Sequence, residues 1–226
     1  MIDLLPFLKE LCATAGLSGH EGPARDRIAQ AWQPLADEVT TDSLGSLRAV
    51  LRGNGPPPRR KILLAAHMDA IGLMVTGIAP GGFLRLTRIG GIDVRVLPGQ
   101  PVTVYARRGG AELPGLIVQP PAALLPEDKR EGVIPLAHLL VDTGLPEDEL
   151  RAQVRVGDLI AFANPPLALN GEQLAAHSLD NRASVAALTL ALEALHPRPH
   201  AWDVIAVATA QEEVTMGGAA VAAFDV

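Results

Sequence analysis

The sequence predicts an α/β fold interrupted by a small all-β insert, and three observations carry that expectation. Helix-periodic and apolar strand-like segments alternate up to residue 72. From Gly72 to Asn164 the chain instead holds short β-like runs broken by glycine and proline. After Pro165-Pro166 the helix and strand patterns return. An insert within one α/β domain accounts for this order most economically, because the middle offers neither a long helix nor a βαβ rhythm. The predicted boundaries are 1–72 and 166–226 for the α/β domain and 73–165 for the insert.

Each element has its own signal. Leu4, Leu5, Leu8 and Leu11 recur at helical spacing, and the pattern stops near Gly16, so an amphipathic helix opens the chain. Glu21 to Leu35 reads as a second helix, and Glu38 to Asp42 alternates as a strand before turn residues Ser43 to Ser46. Leu47 to Leu51 and Ile62 to Ala66 are apolar runs separated by the turn-rich Gly53 to Pro58, which predicts two neighbouring strands. The insert offers strands at 73–75, 83–86, 102–106, 115–118 and 139–142, and Gly157-Asp158 supplies a turn near its end. A helix follows over 181–196 with Val185, Leu188, Leu192 and Leu195 on one face, then a strand over 203–210.

Composition narrows the class of function. The 226 residues are 48% hydrophobic and 19% charged with a net charge of -6, so phosphate backbones would repel the chain. Its short basic clusters, at Arg59 to Lys61 and Arg107-Arg108, lack interleaved aromatics and read as solvated turns. Asp3, Lys9 and Glu10 interrupt the N-terminal apolar run, against a signal peptide, and no stretch is long and apolar enough to span a bilayer. The single cysteine, Cys12, excludes an internal disulfide and falls on the buried side of the first helix. A cytoplasmic protein with neither a nucleic-acid nor a membrane partner is the expectation.

Three polar clusters interrupt apolar elements. The run Ile62 to Ala66 leads into His67-Met68-Asp69, which puts an imidazole at the carboxyl end of a strand, the edge where open α/β sheets bind ligands. Residues two apart in a strand share a face, so Asp69 can steady His67 as a carboxylate steadies a metal-binding histidine. The plain alternative is a core histidine satisfied by an aspartate. Asp180, before the 181–196 helix, has the type and place of an N-cap, although a carboxylate there can also bridge two cations. Asn181 and Arg182 could hold a substrate or orient that carboxylate. Glu212 and Glu213 follow the apolar strand and repel each other, which calls for a cation or a proton. Side chains diverging at a strand end would let one acid bind metal while the other acts as general base; a solvated loop start is the plain alternative. Histidine and carboxylates without thiolate favour zinc, cobalt or manganese, and such an ion generates a nucleophilic water suited to amide hydrolysis.

Taken together, Gly16-Leu-Ser-Gly-His-Glu21, Ala65-Ala-His-Met-Asp-Ala-Ile-Gly-Leu-Met-Val75, Gly90-Gly-Ile-Asp93, Val156-Gly-Asp158, Ser178-Leu-Asp-Asn-Arg-Ala183 and Gln211-Glu-Glu-Val214 resemble the dinuclear-metal aminopeptidases. That family includes glutamyl and deblocking aminopeptidases, some of which have carried the label endoglucanase. The resemblance implies a mixed-sheet, zinc-peptidase-like catalytic α/β domain with an inserted β-barrel-like domain, assembled into a hollow homo-oligomer that admits short peptides. It further implies two divalent ions per chain, with His67 binding one, Glu213 the other and Asp180 bridging both. Glu212 would be the general base and Asp69 would orient His67.

The family continues beyond the point matching Val226, with strands and helices that supply one more aspartate and a late histidine ligand. Asp225 sits in a context resembling the preceding helix and is not read as a ligand. The expectation is therefore a C-terminally truncated relative, and a non-catalytic scaffold or assembly partner is the alternative. Glycoside hydrolysis fits poorly, since Glu212 and Glu213 are adjacent whereas that chemistry sets two carboxylates across a bond, about 5 to 9 Å apart. Aromatic residues at 3% also offer few sugar platforms. His20, His138, His196 and His200 read as structural or surface residues; His177, three before Asp180, is the one histidine placed to substitute for a ligand.

Overall fold

A computed structural model describes residues 2–108, 110–224 and 226. Helices α1 (Leu4–Ala13) and α2 (Gly22–Trp32) lead into strands β1 (Glu38–Thr41), β2 (Leu47–Leu51) and β3 (Lys61–His67). Then come β4 (Gly72–Ala79), β5 (Phe83–Ile89), β6 (Pro101–Ala106), β7 (Ala111–Val118), β8 (Leu140–Asp142), α3 (Glu147–Gln153) and β9 (Leu159–Phe162). The short hairpin β10 (Leu167–Ala168) and β11 (Leu174–Ala175) precedes α4 (Leu179–Leu195), β12 (Asp203–Thr209), α5 (Glu212–Thr215) and α6 (Gly217–Phe224). The chain forms two compact units, Met1–Ala70 with Pro165–Val226, and Ile71–Asn164.

The first unit is built on a mixed sheet of order β1-β2-β12-β3. The sequence suggested that β2 and β3 adjoin; instead β12 lies between them, antiparallel to β2 and parallel to β3. The reason is burial on both faces. Val204, Ala206 and Ala208 point to one side and Ile205 and Val207 to the other, and all five are buried, which suits a central strand. On the first face Leu47, Ala49 and Leu51 continue the apolar layer beneath α1, α2 and α4, where Phe7, Leu11, Ile28, Trp32, Val185 and Leu192 pack. On the other face Val50, Ile205 and Val207 meet Ala222 of α6. Each fully buried valine, leucine, isoleucine or phenylalanine here contributes about 1.5–3 kcal/mol.

The packing of α1 differs from the sequence pattern. In α1 the buried stripe is Phe7, Leu11 and Cys12, while Leu4 and Leu5 are exposed, because the packed face is set by α4 rather than by leucine count. Trp32 closes α2 against α4, its indole N–H donating to Thr189 Oγ1 at 2.8 Å inside the core.

The second unit is a closed six-stranded barrel of order β4-β5-β8-β7-β6-β9. Leu73, Val75, Leu84, Val102, Val104, Ile117, Val141 and Ile160 fill it, and α3 adds Leu150. Closure leaves no unpaired edge. β9 was not among the predicted strands, although its Leu-Ile-Ala-Phe run directly follows the predicted Gly157-Asp158 turn.

Candidate functional site

β3 and β12 run parallel, with Thr209 opposite His67, so the polar residues that follow each strand emerge at one edge. His67 is the last residue of β3 and is 7% exposed. Its Nδ1 lies 3.1 Å from the carbonyl oxygen of Asp69 and 3.5 Å from the Asp69 carboxylate. Its Nε2 lies 3.2 Å from Asp180 Oδ1 and 3.7 Å from Glu212 Oε2. An Nδ1–H donated to the Asp69 carbonyl therefore leaves Nε2 facing acids. The pairing of His67 with Asp69 arises from the turn beyond β3, not from strand alternation, since Asp69 is no longer in the strand.

Asp69 is fully buried, and its two oxygens accept the backbone N–H groups of Glu212 and Glu213, each at 3.1 Å. Burial alone would raise its pKa, but His67 and these two N–H donors prevail and hold it below the ordinary value. For His67 burial works the other way, and the Asp69 and Glu212 carboxylates overcome it, raising the imidazole pKa to about 9.

Glu212 and Glu213 open the single-turn helix α5, entered through Gln211 at φ 60°, ψ 30°. The sequence suggested side chains diverging from a strand end. The helical turn instead brings both round, so that donor atoms of His67, Glu212 and Glu213 all lie within 4.8 Å of one another. Burial raises the pKa of Glu213; His67 opposes that shift, while Glu212, Asp69 and Asp180 add to it.

Asp180 is not a helix cap. Asp180 and Asn181 have non-helical backbone angles at a kink near the start of α4, and the Asp180 carboxylate lies 3.2 Å from His67 Nε2. Arg182, suggested as a substrate or carboxylate contact, is 1% exposed. It donates to the carbonyls of Met68, Leu11, Thr14 and Gly16, tying the end of β3 to the end of α1. A β-carbon on Gly16 would come within 2.5 Å of this guanidinium, so glycine is needed for the approach. His177 lies outside the His67, Glu212 and Glu213 group; burial and then the Arg182 charge lower its pKa. Asp225 lies outside the described residues.

Residues 45–226 match the family described as M42 glutamyl aminopeptidase. The chain belongs to that family. It is 33% identical to a lysyl aminopeptidase of Pyrococcus furiosus over 96% of its own length and 62% of that protein's. A glutamyl aminopeptidase of Lactococcus lactis is 30% identical over 97% of this chain and 62% of its own. Among solved structures, a TET aminopeptidase from a marine sediment archaeon of the Thaumarchaeota superposes with a TM-score of 0.90 at 30% identity, covering 99% of this chain and 63% of that one. The TET1 peptidase of Pyrococcus horikoshii, described as assembling into a tetrahedron or a large octahedral shell, gives 0.84 at 34% identity, with 98% and 65% covered. The M42 chain thus spans less than two thirds of the length of these relatives.

One residue of the site escaped sequence reading as a separate candidate. Glu21 is 5% exposed, and its Oε1 accepts the N–H groups of Gly19 at 2.7 Å and Gln211 at 3.0 Å. Its only local signal was an acid just before a helical run with Pro23, which reads as a helix start.

Proposed function

We propose that this chain carries the metal-binding and proton-transfer residues of an aminopeptidase that removes the N-terminal residue from short peptides. The observation that supports it is the gathering of His67, Glu212 and Glu213 within 4.8 Å at one sheet edge, with Asp180 beside His67. The donor set fits a divalent cation: one imidazole and two carboxylates lie within 4.8 Å of one another without thiolate, a third carboxylate, of Asp180, adjoins the imidazole, and the repulsion of the acids falls when a cation is present. His67, Asp180 and Glu213 would hold two ions, of zinc, cobalt or manganese, with Asp180 shared. Such ions supply Lewis acidity and make a coordinated water acidic.

The chain's own residues do the rest. Asp69, through its carbonyl and carboxylate, keeps His67 in the tautomer that presents Nε2. Glu212, 30% exposed and 3.7 Å from the same imidazole, would accept a proton from the attacking water and return it to the leaving amine. We further infer self-assembly, on the printed description of the Pyrococcus horikoshii relative, and a cytoplasmic setting, which accords with a buried free Cys12.

Elemental analysis of the purified chain, paired with release of amino acid from short unblocked peptides, tests the proposal. Two ions per chain, with turnover lowered by about 10²- to 10⁴-fold in Glu212→Gln, supports it. No metal and no turnover would sink it in favour of a scaffold or assembly partner.

A further inference from the structure

We propose that Glu21 is a positioning residue that latches the Gln211 turn and so holds Glu212 and Glu213 against Asp69. This inference rests on the reading of that edge as the reactive site. Gln211 is not glycine, yet its backbone is left-handed, a conformation that a side chain disfavours. Something must hold it there. The Glu21 carboxylate, 190 residues away in sequence, accepts the Gln211 N–H at 3.0 Å, and the same oxygen is fixed by the Gly19 N–H at 2.7 Å.

The next two N–H groups, of Glu212 and Glu213, go to the two oxygens of Asp69. Three successive amides are therefore each taken by a buried carboxylate. A left-handed residue followed by a helical one makes a concave nest of N–H groups that favours anionic oxygen, and here Glu21 and Asp69 share it. Asp69 and the Thr215 bonds to the Gln211 carbonyl hold the turn from within α5, but only Glu21 holds the Gln211 N–H from outside it. Loosening Gln211 lets the turn tilt and the Glu212 and Glu213 side chains drift from His67, so the latch governs how closely the donors converge.

The role needs an acceptor, not a charge. Glu21→Gln retains an oxygen for both N–H groups, whereas Glu21→Met fills similar volume with none. Glycine adopts positive φ without steric cost, so Gln211→Gly should compensate for a lost latch. We would measure amide hydrogen exchange at residues 211–213 in the metal-free full chain, and cobalt(II) affinity by titration, for wild type, Glu21→Gln, Glu21→Met and Glu21→Met with Gln211→Gly.

The expected result is faster exchange at 211–213 and a loss of about 10- to 100-fold in cobalt affinity for Glu21→Met, the range for partners that orient metal ligands. Glu21→Gln should stay within about threefold of wild type, and Gln211→Gly should recover part of the loss. Unchanged exchange in Glu21→Met, equal damage in Glu21→Gln, or no recovery with Gln211→Gly would each overturn the proposal. If Glu21→Met does not fold, recovery of folding in the double variant decides. Should the wild type bind no cobalt, the metal reading fails, while the exchange measurement still judges the latch.

Discussion

Nε2 of His67 lies 3.2 Å from Oδ1 of Asp180, across 113 residues of sequence. The contact joins the end of a buried strand to the start of the α4 segment, and it forms because Asp180 leaves the helical conformation just where a cap would have used its carboxylate. On the proposed reading, the positions at this contact should govern metal binding rather than folding. His67→Ala should lower cobalt(II) affinity by more than about 100-fold, since losing a mere orienting partner already costs about 10- to 100-fold. Titration calorimetry would measure it, and an unchanged affinity would remove His67 from the ligand set.

Glu212 should separate binding from chemistry. Glu212→Gln keeps the shape and the N–H bond to Asp69 but loses the proton acceptor, so metal content should hold while turnover falls by about 10²- to 10⁴-fold. A parallel loss of metal would make Glu212 a ligand.

The proton on His67 sets a pH dependence. Its folded pKa of about 9 exceeds the ordinary 6.5, so the metal-free chain gains stability from this group that is fully present below pH 6.5 and lost as pH rises through about 9. Metal binding displaces the same proton. Affinity should therefore climb about tenfold per pH unit toward pH 9 and then level off. Urea midpoints of the metal-free chain and cobalt titrations across pH should move in opposite directions.

Asp69 ties the cluster together, and Asp69→Asn tests this sharply. An amide can offer only one oxygen, so its NH2 group would face one of the Glu212 and Glu213 N–H donors. Without the carboxylate, burial is opposed only by Glu212 and the Asp69 carbonyl. The His67 pKa, followed by NMR in the metal-free chain, should fall from about 9 by more than one unit. An imidazole still titrating near 9 would assign the shift to other acids.

Arg182 should matter for stability. Its guanidinium satisfies four backbone carbonyls, three of them buried, and Arg182→Met would leave several without a donor. A loss of at least about 3 kcal/mol is expected, read as a lower urea midpoint with an unchanged slope.

The sequence by itself determined the α/β class, the β insert and the chemical types at the site. Periodicity separates helix from strand locally, and the unusual placement of His67, Glu212 and Glu213 after apolar runs is visible without coordinates. Tertiary structure alone decided how these pieces meet. That β12 separates β2 from β3 follows from burial on both its faces, which no local pattern ranks against a hairpin. Asp180 fits a cap by type, and only the folded chain shows its backbone out of the helix and its carboxylate beside His67. Arg182 looks like a ligand-binding cation until four carbonyls surround it, and Glu21 looks like a helix start until Gln211 arrives beside it. Side-chain type constrains which bonds a residue can make, but the choice among partners depends on groups brought near by long-range packing, and that proximity is a property of the folded chain.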